Sequence, residues 1–126
     1  MNTQDYEVLL LNVLLTHYDK QEHIFTYTNE DFFQDITCLT IYQTARKVFE
    51  EKEVVTNVDI YERDKSLYSP LWEILKETLG FRCMTDIYIK RLYDKAVERK
   101  IADAKTAAEI KDLEEKTSED TGLMAI

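Results

Sequence analysis

TNEDFFQDITCLTIYQTARKVFEEKEVVTNVDIY, residues 28–61, decides how the chain folds. It opens on Thr28-x-x-Asp31, a helix-start signal in which a Thr hydroxyl accepts from an early helix amide and a carboxylate three residues on reaches back to the cap amide. A second helix reads from Leu39 to Lys52, because Ile41, Ala45, Val48 and Phe49 recur at i, i+4, i+7 and i+8 and share one face. The chain breaks at Val54-Val55 and restarts at Thr56 or Asn57, both favoured N-caps. Short helix, long amphipathic helix, apolar connector and new helix together make an α-helical pattern.

Towards the N-terminus, residues 5–18, DYEVLLLNVLLTHY, form a strongly apolar first helix. Glu7, Asn12, Thr16 and Asp19 fall near one stripe, with Leu10, Leu11, Leu14 and Leu15 on the other side. An apolar surface that wide predicts a helix buried on most sides. Ile24 to Tyr27 is a short β-branched and aromatic patch, extended or a second short helix.

Towards the C-terminus, residues 56–64 read as a short helix and Asp64 to Pro70 as a polar loop, with Ser69-Pro70 marking the next helix start. Leu71, Ile74, Leu75 and Leu79 line one side of a helix that Gly80 is placed to stop. After a connector from Phe81 to Thr85, the longest helix covers about 86–116. There Tyr93, Val97, Ile101, Ala104 and Ala108 step down one face, shrinking to small residues that suit close helix approach. Lys116-Thr117-Ser118-Glu119-Asp120 reads as a break and the start of another helix. The organisation expected is therefore a helical globular domain over 1–85, a long hairpin helix over 86–116, and a hairpin turn with a short tail over 117–126.

Composition agrees with an all-α fold. In 126 residues there are two Gly and one Pro, too few for the many turns of an all-β fold. A chain this long buries roughly 65–70% of its unfolded surface, enough for one core. The formal net charge is −9. The single basic cluster, Lys90, Arg91, Lys95, Arg99 and Lys100, is diluted by Asp94 and Glu98 and reads as a solvated helix face. A protein that grips a phosphate backbone carries a basic face, so direct nucleic-acid binding is not expected. Cys38 and Cys83 are isolated, with no C-x-x-C spacing, and read as reduced thiols of a cytoplasmic protein. No apolar run approaches the roughly 20 residues of a membrane span, and the N-terminus has no basic leader segment.

Catalytic signatures are missing from the sequence. There is no G-x-x-x-x-G-K-[ST], G-x-G-x-x-G or H-E-x-x-H. His17 and His23 are six apart and do not share the i, i+4 face of a metal pair. Acid pairs such as Glu30-Asp31, Glu50-Glu51 and Glu114-Glu115 lie at helix ends or on polar faces. No catalytic residue, cofactor or metal is expected, and the chain reads as an acidic, non-enzymatic interaction domain.

The order and spacing of several motifs resemble the N-terminal domain of DnaB-type replicative DNA helicases over residues 5–121. That family has a leucine-rich first helix, like YEVLLLNVLL here, and a P-E-D-F-[YF] helix start, like Asn29-Glu30-Asp31-Phe32-Phe33. Its H-x-x-I-F helix is similar to Cys38-Leu39-Thr40-Ile41-Tyr42, and its G-x-P-[IV]-D connector to Lys52-Glu53-Val54-Val55-Thr56. Its L-x-E-L helix resembles Leu71-Trp72-Glu73-Ile74-Leu75, its following turn Gly80 to Met84, its Y-x-x-x-[IV]-x-x-K run Tyr88 to Lys95, and its T-x-E-D hairpin start Thr117-Ser118-Glu119-Asp120. Departures fall on the motif His, replaced by Cys38, on the connector Gly and Pro, replaced by Lys52 and Val54, and on the turn Pro and Asn, replaced by Gly80 and Met84.

The resemblance implies a compact multi-helix domain carrying the first arm of a helical hairpin. It also implies a non-catalytic collar that self-associates, as a dimer or as the collar of a hexamer, and docks primase and helicase loader during DNA replication. The ATPase motor of that family would be a following RecA-like domain. The partner-binding positions carried over are Leu71, Ile87, Tyr88, Ile101 and Ala102. Ile87, Tyr88 and Ile101 spread over about 140° of the helical wheel near the head of a charged helix, so at least one is expected to be an exposed apolar anchor. The alternative reading is a free-standing, phage-type adaptor or loader that binds a helicase.

Overall fold

The structure, a computed structural model, describes residues 3–76 and 84–125, and the side chains of 5–76 and 84–105. Every regular element among the described residues is helical. Among the described residues there are six α-helices, α1 (Thr3–Thr16), α2 (Gln21–Tyr27), α3 (Ile36–Lys52), α4 (Asn57–Arg63), α5 (Tyr68–Leu75) and α6 (Thr85–Ala125), with 3-10 turns at Tyr18–Lys20 between α1 and α2, Glu30–Phe32 between α2 and α3, and Lys65–Leu67 between α4 and α5. The chain divides into two compact units, Met1–Ala96 and Val97–Ile126.

In the first unit α1 is the central helix. Leu9, Leu10, Leu11, Val13, Leu14 and Leu15 are all buried, and so are Glu7 and Asn12 on its polar stripe. Such a helix has no solvent face in its middle turns, as the width of its apolar surface predicts. Its buried polar groups are satisfied by backbone. Glu7 Oε1 accepts from Gln34 N at 3.0 Å and Asp35 N at 3.1 Å, and Asn12 Nδ2 donates to Ile74 O at 2.9 Å. These bonds tie α1 to the entrance of α3 and to the end of α5, at sites where an unpaired group would cost about 1–3 kcal/mol.

Helix α3 starts three residues before the expected Leu39, because Asp35 caps it by accepting from Cys38 N at 2.9 Å. It ends at Glu53, whose left-handed φ of 66° is the one positive φ among the described residues. Its apolar face packs an aromatic cluster: Phe33 stacks on Tyr42 at 4.5 Å between ring centroids, and Phe25 lies 4.9 Å from Phe49. Arg46 covers the rings of Phe25 and Tyr42 and donates to the Tyr42 hydroxyl at 2.7 Å. Burial raises the Tyr42 phenol above its usual range, against the opposing pull of Thr28 and Arg46. Burial likewise raises the Cys38 thiol, reinforced by the charges of Asp35 and Glu7. Cys83 lies outside the described residues.

Several expectations are corrected. The helix start read at Thr28 moves one residue on: Asn29 caps the 3-10 turn by accepting from Asp31 N at 2.8 Å. Thr28 is buried and its hydroxyl is engaged elsewhere, donating to Ile24 O at 2.6 Å and lying 2.9 Å from the Tyr42 hydroxyl. The patch left open at Ile24–Tyr27 is helical. The polar loop read from Asp64 to Pro70 is instead a 3-10 turn followed at once by α5, with Tyr68 first and no side-chain cap from Ser69. Pro70 is tolerated there because amides of the first helical turn have no intrahelical acceptor. The expected stop at Gly80 lies outside the described residues.

The inward stripe of α6 in the first unit is Tyr88, Ile89, Leu92 and Ala96, whereas Tyr93 is half exposed. Tyr93, where the stripe read from the sequence begins, is therefore off the inward phase, since a helix with apolar residues on two faces offers two candidate phases. The expected break at Lys116–Asp120 does not occur, because α6 continues to Ala125. Thr117 and Ser118 cost a helix only tenths of a kcal/mol each, and there is no Gly or Pro between them and Thr85. No second hairpin arm begins at Thr117 as expected.

In the second unit, Ile101, Ala102, Asp103, Ala104 and Lys105 are all exposed. The side chains of Ala107 and Ala108 on the small-residue stripe lie outside those described. Among the described residues no helix is long and apolar enough to cross a membrane.

Candidate functional site

The feature of the first unit that demands a function is built from two short helices. Thr56 and Asp59 start α4 with a complete capping box: Asp59 N donates to Thr56 Oγ1 at 3.3 Å and Thr56 N to Asp59 Oδ2 at 3.0 Å. Asp64 then closes the 3-10 turn by accepting from Ser66 N at 3.0 Å, and α5 follows immediately. So tight a connection sets α4 and α5 side by side. Ile60, Leu67, Leu71 and Ile74 turn into the core. Val58, Tyr61, Tyr68 and Trp72 are left outside, with Tyr68 64% and Trp72 60% exposed.

These outward residues form a groove of about 170 Å³, lined by Asn57, Val58, Tyr61, Tyr68, Leu71, Trp72 and Leu75. Tyr61 and Tyr68 meet edge to face across it at 5.7 Å between ring centroids. A scatter of single exposed apolar residues is ordinary on a protein surface, whereas aromatics gathered around one concavity make this groove the candidate site. The frame beneath is fixed by the capping box, by the bond from Asn12 to Ile74 O, and by an ion pair between Lys52 and Asp59 at 2.8 Å. That pair, through its hydrogen bond first, holds the Asp59 carboxyl below its usual range and the Lys52 ammonium above its own.

A second hollow of about 440 Å³ is lined by His23, Tyr27, Asp86, Ile89, Lys90 and Tyr93. Its charged and imidazole groups are engaged with neighbours: His23 Nε2 lies 2.5 Å from Asp86 Oδ1, and Lys90 Nζ donates to Asp94 Oδ1 at 2.6 Å. Among the described residues no three His, Cys, Asp or Glu side chains converge to hold a metal ion.

Of the five residues named from the sequence, Leu71 and Tyr88 are core residues, with only the rim of Leu71 reaching the groove. Ile87 is 48% exposed and Ile101 63% exposed, and Ala102 is exposed as well. Within the first unit Ile87 is thus a large apolar residue left outside the core. No protein-family model matches this chain, and no curated protein or solved structure is significantly similar to it.

Val58, Tyr61, Tyr68 and Trp72 were not singled out from the sequence. Tyr68 and Trp72 are i, i+4 neighbours, a spacing that also describes a buried face, so aromatic periodicity alone does not separate groove from core. The available signal was the close succession of two short helices: both cannot turn all their apolar residues inward.

Proposed function

We propose that this chain is a non-catalytic docking domain whose α4–α5 groove receives a partner protein. The observation that carries this reading is the exposure of Tyr61, Tyr68 and Trp72 around one concavity on a rigid frame. Tyr and Trp are the residues that most often supply binding energy at protein interfaces, because they bury large area at little entropic cost. The motif resemblance supplies the finer reading, the N-terminal collar of a DnaB-type replicative helicase, with primase or helicase loader as the partner. Apolar exposure at Ile87, and separately at Ile101, supports self-association as a further property.

The test is calorimetric titration of the chain with the cognate primase, loader and helicase hexamer. Collar function predicts a complex with primase or loader that Tyr68→Asp weakens at least tenfold, about 1.4 kcal/mol. A complex formed with the helicase hexamer alone favours the adaptor reading. Binding to none of the three removes the replication reading.

A further inference from the structure

We infer that the occupant of the α4–α5 groove is a cationic amphipathic helix of the partner protein. This inference rests on the docking role proposed for the same groove and adds the chemistry of what enters it. Shape supplies the first argument. The groove runs between helices of seven and eight residues, so it offers about two turns of contact. Val58 and Leu75, with the edge of Leu71, give it an aliphatic lining among the aromatics. Two turns of a helix bearing apolar residues at i and i+3 or i+4 fill such a trough, ridge against groove.

Charge supplies the second argument. Residues 50–76, which carry the groove and the chain leading into it, hold seven acids and four bases, and one of the acids, Glu50, pairs with Arg46 outside the stretch. Three of those bases already sit in ion pairs with acids of the same stretch: Lys52 with Asp59, Arg63 with Glu51, and Lys76 with Glu73. The field around the groove is therefore negative, with Glu62 exposed one helical turn from Val58. The whole chain, at −9, adds to it. A partner segment with Lys or Arg flanking its apolar stripe is steered in and retained, whereas an acidic segment with the same stripe is repelled.

The experiment uses three synthetic peptides of about 18 residues, five helical turns, all lacking Trp. One has a Leu stripe flanked by Lys, one the same stripe flanked by Glu, and one is rich in Pro and Lys. Trp72, the single Trp of the chain, reports occupancy by its emission. The Lys–Leu peptide is expected to shift Trp72 emission to the blue, gain helicity on binding, and bind roughly tenfold or more tighter than the Glu–Leu peptide, with the advantage shrinking in salt. Tyr68→Ser, at an exposed position, is expected to leave the circular dichroism of the protein unchanged and weaken the Lys–Leu peptide roughly tenfold.

Equal binding of the Lys–Leu and Glu–Leu peptides overturns the charge assignment, and tighter binding of the Pro-rich peptide overturns the helical one. Lys–Leu binding that is indifferent to Tyr68→Ser places the contact elsewhere and overturns the inference. In the first two cases Trp72 still responds, so the docking role of the groove survives. If no peptide moves Trp72 the inference falls, and titration with the intact partners then decides the docking role separately.

Discussion

Gln21 and Val55, thirty-four positions apart, exchange a complete pair of hydrogen bonds: Val55 N donates to Gln21 Oε1 at 3.0 Å, and Gln21 Nε2 donates to Val55 O at 2.6 Å. The same amide group also donates to Leu14 O at 2.9 Å. One fully buried side chain thus does the work of a strand neighbour for the irregular connector between α3 and α4 and ties it to the end of α1. Gln21→Ala leaves three buried backbone groups without that partner. At about 1–3 kcal/mol for an orphaned group, less what a penetrating water restores, the loss is expected near 3 kcal/mol. Thermal denaturation followed by circular dichroism measures it; a midpoint within about 2 °C of wild type contradicts the role given to Gln21.

Thr56 and Asp59 hold the frame of the groove in a pH-dependent way. The folded Asp59 carboxyl lies below its usual range, mainly through Lys52 and then through Thr56. The unfolded chain therefore binds more protons in the acid range than the folded one, and stability rises with pH there. This contribution is fully present above the ordinary carboxylate value of about 4 and is lost as pH falls through the lower folded value. Thr56→Ala is expected to cost about 1 kcal/mol. Asp59→Asn is expected to flatten the acid limb of a stability–pH profile, and an unchanged limb in that variant shows that other carboxylates set it.

Leu14 and Phe49 are both assigned to the core by periodicity, yet the structure separates them. Leu14 is fully buried and Phe49 only partly. Leu14→Ala is expected to cost roughly 3–5 kcal/mol, and Phe49→Ala about half of that because part of its ring already meets water. Urea denaturation of both variants checks the ranking, and a larger loss at Phe49 contradicts it.

Ile87 and Tyr88 are adjacent on α6, about 100° apart around the helix, and only Tyr88 turns into the core. Tyr88 is buried, 6.4 Å from Tyr6 between ring centroids, whereas Ile87 is half exposed. Tyr88→Asp places a carboxylate in the core and is expected to unfold the protein. Ile87→Asp is expected to keep stability within about 0.5 kcal/mol and to weaken self-association in analytical ultracentrifugation. A folded Ile87→Asp protein that associates like wild type removes Ile87 from any interface.

What was legible in the sequence followed from local chemistry. The helix restart read at Thr56 or Asn57 falls at Thr56, whose hydroxyl engages Asp59 of its own helix, so a cap read from local sequence stands. The leucines of α1 needed only their own crowding to announce burial. The misreadings arose where distant groups competed. Thr28 looked like a cap, but Ile24 O and Tyr42 claim its hydroxyl, and the cap passed to Asn29. Helix α6 offered two apolar stripes, and only the packing of the first unit selects Tyr88–Leu92–Ala96. The groove was hidden for the same reason, because Tyr61 and Tyr68 become one surface only when a four-residue link at 64–67 folds α5 back beside α4.

The central claim is that a partner protein seats against Trp72, and the emission of that residue tests it directly. At 60% exposure and as the single Trp of the chain, it reports the groove without labelling. Titration with a Trp-free form of the cognate primase or loader is predicted to shift its emission to the blue and to saturate at stoichiometric partner, with Tyr61→Ser and Tyr68→Asp each moving the midpoint at least tenfold. A complex that forms by sedimentation while Trp72 emission stays at its water-exposed maximum contradicts the account.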